Sequence, residues 1–389
     1  MHIKNELANR QRIYLSVPHV SVAELEYVKQ AFEQNWLSTV GPNLTALEKF
    51  VFQKFGLRAV ALSTGTAGIH LGLKLLGVKP GNEIVVPSLT FVAGCNPVLY
   101  EHAKPVFIDS ETLSWNIDPQ RLEDFLISRA KINRLPKVVT VAHLFGQSAD
   151  LDAIVSLCNR YEIHLLEDAA ESLGTNYKGK PTGTVGDVGV FSFNGNKMIT
   201  ATAGGILVSK NPELVDRARH WSTQARDQDP DGINNYVHSE IGYNYRMSNV
   251  LAGIARGQLE VLNERVNQRR AVFSRYNAAF TGLDGIEPQP EAPWDRHSRW
   301  LSCFLIDEKE FGASQVEIIR HLESHNIESR PVWKPLHTQP LYIGFDCVGG
   351  EVAEDLNRRG ICLPSSSSLT EEDQQRVIDC VKSLHRSSK

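Results

Sequence analysis

Between about residues 58 and 210 the chain alternates short apolar runs with helical patterns, and this alternation limits the possible folds more than any other feature. Strand patterns fall near 59–63, 83–87, 105–109, 137–142, 163–167, 188–193 and 205–209, with helical segments between most of them. Such alternation builds a mostly parallel sheet covered on both faces. The expected class is α/β, with a seven-stranded sheet between helices. The last three runs have no long helix between them, which places a strand of opposite direction there. Open sheets of this class present ligand contacts just beyond the carboxyl ends of their strands.

A length of 389 residues points to one large and one small domain. Residues 1–250 form the expected large, cofactor-binding domain with its N-terminal segment. That segment holds a helix from Val22 to Asn35 and a turn-rich stretch, Asn35-Trp36-Leu37-Ser38-Thr39-Val40-Gly41-Pro42, with an exposed-looking tryptophan. Few breakers interrupt 248–281, and Val250, Leu251, Ile254, Leu259, Val261, Leu262 and Val266 recur at helical spacing, which predicts one long linking helix. Residues 251–389 then comprise this helix and a small α/β domain. Its expected parts are a strand from Trp300 to Ile306, helices near 313–325 and 370–386, a loop over 328–340 and a strand near 360–364. The end, Ser387-Ser388-Lys389, is expected to fray.

Two segments at predicted strand ends carry chemistry. Asp168, in Leu-Leu-Glu-Asp-Ala-Ala-Glu-Ser (165–172), closes the apolar run Ile163-His164-Leu165-Leu166, and Lys197 closes Phe-Ser-Phe-Asn-Gly-Asn-Lys (191–197). Pyridoxal phosphate (PLP) needs both residue types: a lysine for its aldehyde, and a carboxylate to keep its ring nitrogen protonated so that the ring withdraws electrons. Ser63-Thr64-Gly65-Thr66 opens a helix after the run Ala59-Val60-Ala61-Leu62, and helix amino ends favour a phosphate dianion. Ser192 can add a hydroxyl to the same group. Phe91, just past the strand-like Glu83-Ile84-Val85-Val86, offers a ring to stack on the pyridine. Each feature has a plainer reading: Lys197 as a solvated loop residue, Gly-Thr as a capping turn, Phe91 as a core residue starting a helix over 90–100. Their joint occurrence favours the cofactor.

These segments, with Pro-Ser-Leu-Thr-Phe-Val-Ala (87–93), Glu-Asp-Ala-Ala-Glu-Ser-Leu-Gly (167–174) and Gly-Tyr-Asn-Tyr-Arg-Met-Ser-Asn (242–249), resemble the DegT-type nucleotide-sugar aminotransferases of the fold-type I PLP class. The resemblance spans nearly the whole chain. It implies that Lys197 is the Schiff-base and proton-shuttling residue, that Asp168 binds the pyridine nitrogen, that Phe91 stacks on the ring, and that Thr64, Gly65, Thr66 and Ser192 surround the phosphate. Glu171 would lie near the ring hydroxyl and substrate. Asn244 or Arg246 would reach a neighbouring subunit's site, so a homodimer with shared sites is implied. Trp36, Ser38, Asn194, Arg330, Trp333 and His337 are the implied substrate contacts, although Asn194 also reads as a turn former and Arg-Pro-Val-Trp-Lys-Pro as a rigid packed loop.

Within the family the chain looks most like transaminases of UDP-linked 4-keto-6-deoxy-N-acetylhexosamine, with L-glutamate as donor, passing through the pyridoxamine form (PMP) to make the amino-sugar precursor of bacillosamine-type glycans. His238-Ser239-Glu240-Ile241, Ser222-Thr223-Gln224-Ala225-Arg226, Arg330-Pro331-Val332-Trp333-Lys334-Pro335-Leu336-His337 and Ile361-Cys362-Leu363-Pro364-Ser365 carry that narrower likeness. Two stretches depart from it: Ala201-Thr202-Ala203-Gly204-Gly205 after the lysine, and the longer, acidic 227–235.

Composition agrees with a cytoplasmic enzyme: 42% hydrophobic, 22% charged and net charge −4. Dispersed charge of both signs gives no nucleic-acid footprint, and neither a spanning apolar run nor a signal-peptide core is seen. The six cysteines are scattered, without zinc-site or disulfide-framework spacing, so they are expected to be reduced packing residues and no metal is expected.

Overall fold

A computed structural model describes residues 11–233 and 235–386; the end expected to fray at 387–389 lies outside them. All seven predicted strands are present: β1 (Arg58–Leu62), β2 (Glu83–Pro87), β3 (Lys104–Ile108), β4 (Val138–Ala142), β5 (His164–Asp168), β6 (Val188–Ser192) and β7 (Gly205–Ser209). The sheet has an eighth, β8 (Cys347–Val348), paired parallel to the edge of β3. This corrects the seven-stranded expectation. Two residues from a distant segment carry no periodicity of their own and become a strand only where β3 offers an edge.

The strand order is β1-β7-β6-β5-β4-β2-β3-β8. β7 runs antiparallel between β1 and β6, which is the reversed strand that the missing crossover helix required. The pairings Ala142 with Asp168 and Asp168 with Val190 align the carboxyl ends of β4, β5 and β6. Pairing of Gly205 with both Leu62 and Ser192 brings β1 to the same edge. Val, Ile and Leu fill the strands because both faces are covered: β4, β6 and β7 are buried along their whole length.

Helix Val22–Glu33 starts at a capping box formed by Ser21 and Glu24. The single helix expected over 248–281 is instead two, Asn249–Glu260 and Leu262–Phe280, broken at Val261. The first lies against helices Val22–Glu33 and Pro42–Phe55. The second buries Val272, Phe273, Tyr276 and Phe280 with Phe304 and Ile306 of a second sheet. Two different packing partners set two axes, which the unbroken apolar spacing does not reveal. The expected helix over 90–100 is also divided, into a 3₁₀ turn, Val92–Gly94, and a short helix, Asn96–Tyr100, with Pro97 at its start.

The second sheet is four-stranded and antiparallel, in the order Ile286–Pro288, Ser302–Ile306, Gly360–Leu363, Arg330–Pro331. Helices Gln315–Ser324 and Glu371–Lys382 bury Ile318, Leu322, Val377, Ile378 and Val381 beside it. A buried cluster joins the two sheets, containing Phe145, Phe191 and Met198 with Trp300, Leu301 and Cys303. None of the six cysteines is in a disulfide. Among the described residues no helix is long and apolar enough to cross a membrane.

Candidate active site

The loops that follow β1, β2, β4, β5 and β6 converge on a cavity of about 270 Å³. Of the residues singled out in the sequence, Thr64, Gly65, Thr66, Phe91, Asp168, Glu171, Ser192, Asn194, Lys197 and Trp333 line it. Positions far apart in the chain meet because parallel strands in register end on one edge of the sheet.

Helix Gly65–Leu75 begins at the cavity with Thr64 as its cap. The Thr64 hydroxyl accepts the Ala67 N–H at 3.0 Å and keeps its own proton for a ligand. A Cβ on Gly65 would lie 3.1 Å from the Ser192 Cβ, so glycine lets the helix start approach β6 closely. The Ser192 hydroxyl accepts the Asn194 N–H at 3.3 Å, and it too retains a donor. Free amino-end N–H groups beside three hydroxyls suit a phosphate dianion.

Asp168 ends β5 and lines the cavity. Among the described contacts its carboxylate has one hydrogen bond, from the Ala170 N–H to Oδ1 at 3.1 Å. Burial raises its pKa, against the opposing pull of that bond and of Lys197 and His143. An under-satisfied carboxylate of this kind awaits a cationic donor. Gly94 keeps the space clear, since a Cβ there would be 3.2 Å from Asp168 Oδ2.

Lys197 closes the turn begun at Asn194, with its N–H donated to the Asn194 carbonyl at 3.0 Å. Its Nζ sits 4.1 Å from the centre of the Trp300 ring and 3.6 Å from Glu171 Oε1. Glu171 accepts the Phe145 N–H at 3.0 Å, delivered by a backbone in the left-handed region (φ 55°), a conformation a bulky residue holds only when its surroundings impose it. Those surroundings are Trp300 and Trp333, whose rings both stack near that of Phe145. Burial raises the Glu171 pKa, with Lys197 opposing. Beneath the turn, buried Arg269 donates to the carbonyls of Trp300 at 2.6 Å and Lys197 at 3.4 Å; burial without a carboxylate partner pushes its pKa down to about 9.

Phe91 is 48% exposed, which overturns its reading as a core residue; it lines the cavity with its ring 5.4 Å from that of Trp333. Together the helix start with its hydroxyls, Asp168, Phe91 and Lys197 fit pyridoxal phosphate at its phosphate, ring nitrogen, ring face and aldehyde respectively.

Other expected contacts lie elsewhere. Arg246 is held within its own chain by Glu48 at 2.5 Å and the Ala61 carbonyl at 2.8 Å; Asn244 is exposed. Neither lines the cavity. His337 is fixed between Ser88 at 2.6 Å and Glu354 at 3.0 Å and does not line it. Arg330 pairs with Glu328 at 2.8 Å on an adjoining cleft of about 490 Å³ that shares Asn196 and Trp333 with the cavity. Trp36 and Ser38 lie on an exposed stretch whose carbonyls accept from Asn249.

The sequence reading missed Thr90, His143, Asn196 and Trp300, and it noted Ala203 and Gly204 only as part of a departing stretch; all six line the cavity. His143 follows the end of β4, so the rule that found Asp168 reaches it too. Trp300 has no local signal.

A family model described as "DegT/DnrJ/EryC1/StrS aminotransferase family" matches residues 18–382. EpsN of Bacillus subtilis (strain 168), a pyridoxal phosphate-dependent aminotransferase by name, is 48% identical over 381 residues, 96% of each chain. GDP-perosamine synthase of Caulobacter vibrioides is 33% identical over 374 residues, 96% of this chain and 98% of that one. Among solved structures, Spr1654 of Streptococcus pneumoniae in its PLP form superposes with a TM-score of 0.87 at 26% identity, covering 96% of this chain and 98% of that one.

Proposed function

The chain belongs to the DegT/DnrJ/EryC1/StrS aminotransferase family, and on that premise we propose that it moves the amino group of L-glutamate to C4 of a UDP-linked 4-keto-6-deoxy-N-acetylhexosamine. It is a PLP-dependent aminotransferase of fold-type I. The observation that carries the proposal is the shared lining of one cavity by Lys197, Asp168 and the start of helix Gly65–Leu75.

When bound, PLP supplies an electron sink for the carbanion left at the donor's Cα. The chain does the rest. Asp168 holds a proton on the ring nitrogen, Phe91 covers one ring face, and Thr64, Thr66 and Ser192 donate to the phosphate. Lys197 Nζ is the covalent anchor at rest; as a free amine it takes the donor's α-proton, then runs the same transfer in reverse for the sugar. Glu171, 3.6 Å from that nitrogen, steadies it between transfers. The adjoining cleft, with Arg330 and Lys334 on its wall, gives room and positive charge for a nucleoside diphosphate.

The homodimer belongs to the same reading. Phe32, Trp36, Leu37, Val40 and Ile241 are exposed apolar side chains, as expected of a surface covered by a second copy, and on this reading the exposed Asn244 would reach across.

A second substrate, a GDP-linked 4-keto-6-deoxy sugar, is favoured by the similarity to GDP-perosamine synthases at 33% and 34% identity. One titration tests both. The absorption band of the lysine-linked cofactor should disappear with L-glutamate and return on adding the UDP-4-keto sugar. Return only with the GDP sugar selects the second substrate, and absence of any band in protein mixed with PLP rejects the site.

A further inference from the structure

Away from the cavity, His321 and His325 stand one turn apart at the end of helix Gln315–Ser324, beside Cys380 of helix Glu371–Lys382. One ring nitrogen of each histidine and the Cys380 sulfur all lie within 4.8 Å of one another. From this cluster we propose a zinc site that clips the two helices of the second sheet together.

The hydrogen bonds around the rings prepare them as ligands. His325 Nδ1 lies 2.9 Å from the His321 carbonyl, which only accepts, so Nδ1 carries the proton and Nε2 keeps its lone pair. His321 Nε2 lies 3.1 Å from the Ser383 hydroxyl. That hydroxyl spends its own proton on the Cys380 carbonyl at 2.8 Å, so here Nε2 carries the proton and Nδ1 is bare. In this arrangement one nitrogen of each ring is oriented by an oxygen and the other is left with its lone pair, as in metal-binding histidines. Two imidazoles and a thiolate suit zinc, and a water would complete the tetrahedron. Zinc bond lengths set ligand separations of roughly 3.3–3.7 Å, so side-chain rotations that close the set by about 1 Å suffice. Binding releases the Cys380 thiol proton. Cysteine spacing gives no hint of this, because the third ligand comes from another helix.

The test is titration of metal-free holoenzyme with Co²⁺, then Zn²⁺. The expected result is one Co²⁺ per chain, with a thiolate charge-transfer band and tetrahedral d–d bands at red wavelengths beyond the cofactor's absorption, all abolished by stoichiometric Zn²⁺. Zinc should raise Tm. Cys380→Ser and His325→Ala, both at partly buried positions, should each weaken zinc by at least about 100-fold, more than loss of an orienting partner alone, and remove the Tm gain. Failure to bind stoichiometrically, bands without thiolate character, or binding unchanged in both variants would overturn the proposal.

Discussion

Glu167 and Asp168 are adjacent on β5 and face opposite sides of the sheet, as successive strand residues must. Glu167 is buried and saturated: His143 Nε2 lies 3.0 Å away, and the N–H groups of Gly183, Val185 and Gly186 donate at 2.7–2.8 Å. Burial alone would raise its pKa, but the His143 bond and these backbone donors reverse that and leave it below the usual range. Asp168 receives a single N–H, and burial leaves its pKa raised. One face spends a carboxylate on architecture. The other holds a carboxylate whose partner must arrive from outside.

The comparison separates stability from chemistry, and substitutions can break it. Lys197→Arg, on the Asp168 side, should lower turnover by about 10³-fold or more, since a guanidinium cannot serve as base, with Tm nearly unchanged; appreciable formation of 2-oxoglutarate from L-glutamate by this variant would end the assignment. Asp168→Asn should slow the same half-reaction by about 10²-fold through a weaker electron sink. It should also leave the cofactor-free protein as stable or more stable, because it removes a desolvated charge; a fall in apo-protein Tm would place Asp168 with Glu167 as architecture.

Glu167→Gln should do the reverse, costing about 3 kcal/mol in denaturant unfolding by leaving a buried network under-satisfied. Its pH dependence carries a sign. A carboxylate whose pKa is lowered by folding stabilises above its unfolded value, about 4.3, and that contribution disappears as pH falls through the lower folded value. The acid limb of stability against pH should therefore flatten in Glu167→Gln. For Asp168 the raised pKa makes the contribution present below its unfolded value and lost as pH rises through the folded one, so Asp168→Asn should gain most at neutral pH. The smallest effect is expected for Phe91→Leu, about 1 kcal/mol of cofactor affinity, or roughly five-fold in Kd, from lost ring stacking; an unchanged Kd would remove Phe91 from the ring contact.

The strands, the reversed β7 and the cavity set from Thr64 to Lys197 were legible because each depends on local pattern: apolar runs, turns at their ends, a cap before a helix. The intrachain pairing of Arg246 was not legible, for the opposite reason. Its motif is local, but its partner Glu48 lies on helix Pro42–Phe55, and no spacing rule links the two. The break at Val261 was likewise hidden, since apolar spacing continues through it while the packing partners change.

The sequence by itself determined the α/β alternation, the chemical groups at the strand ends and the family, all encoded within segments of a few residues. Tertiary structure decided the eighth strand, the Trp300 ring beneath Lys197, the left-handed Phe145 that delivers its N–H to Glu171, and the pairing of Arg246 with Glu48. Each of these depends on which distant surface a segment meets. Local propensity carries no record of that meeting, because the stabilising contact exists only once the core has closed.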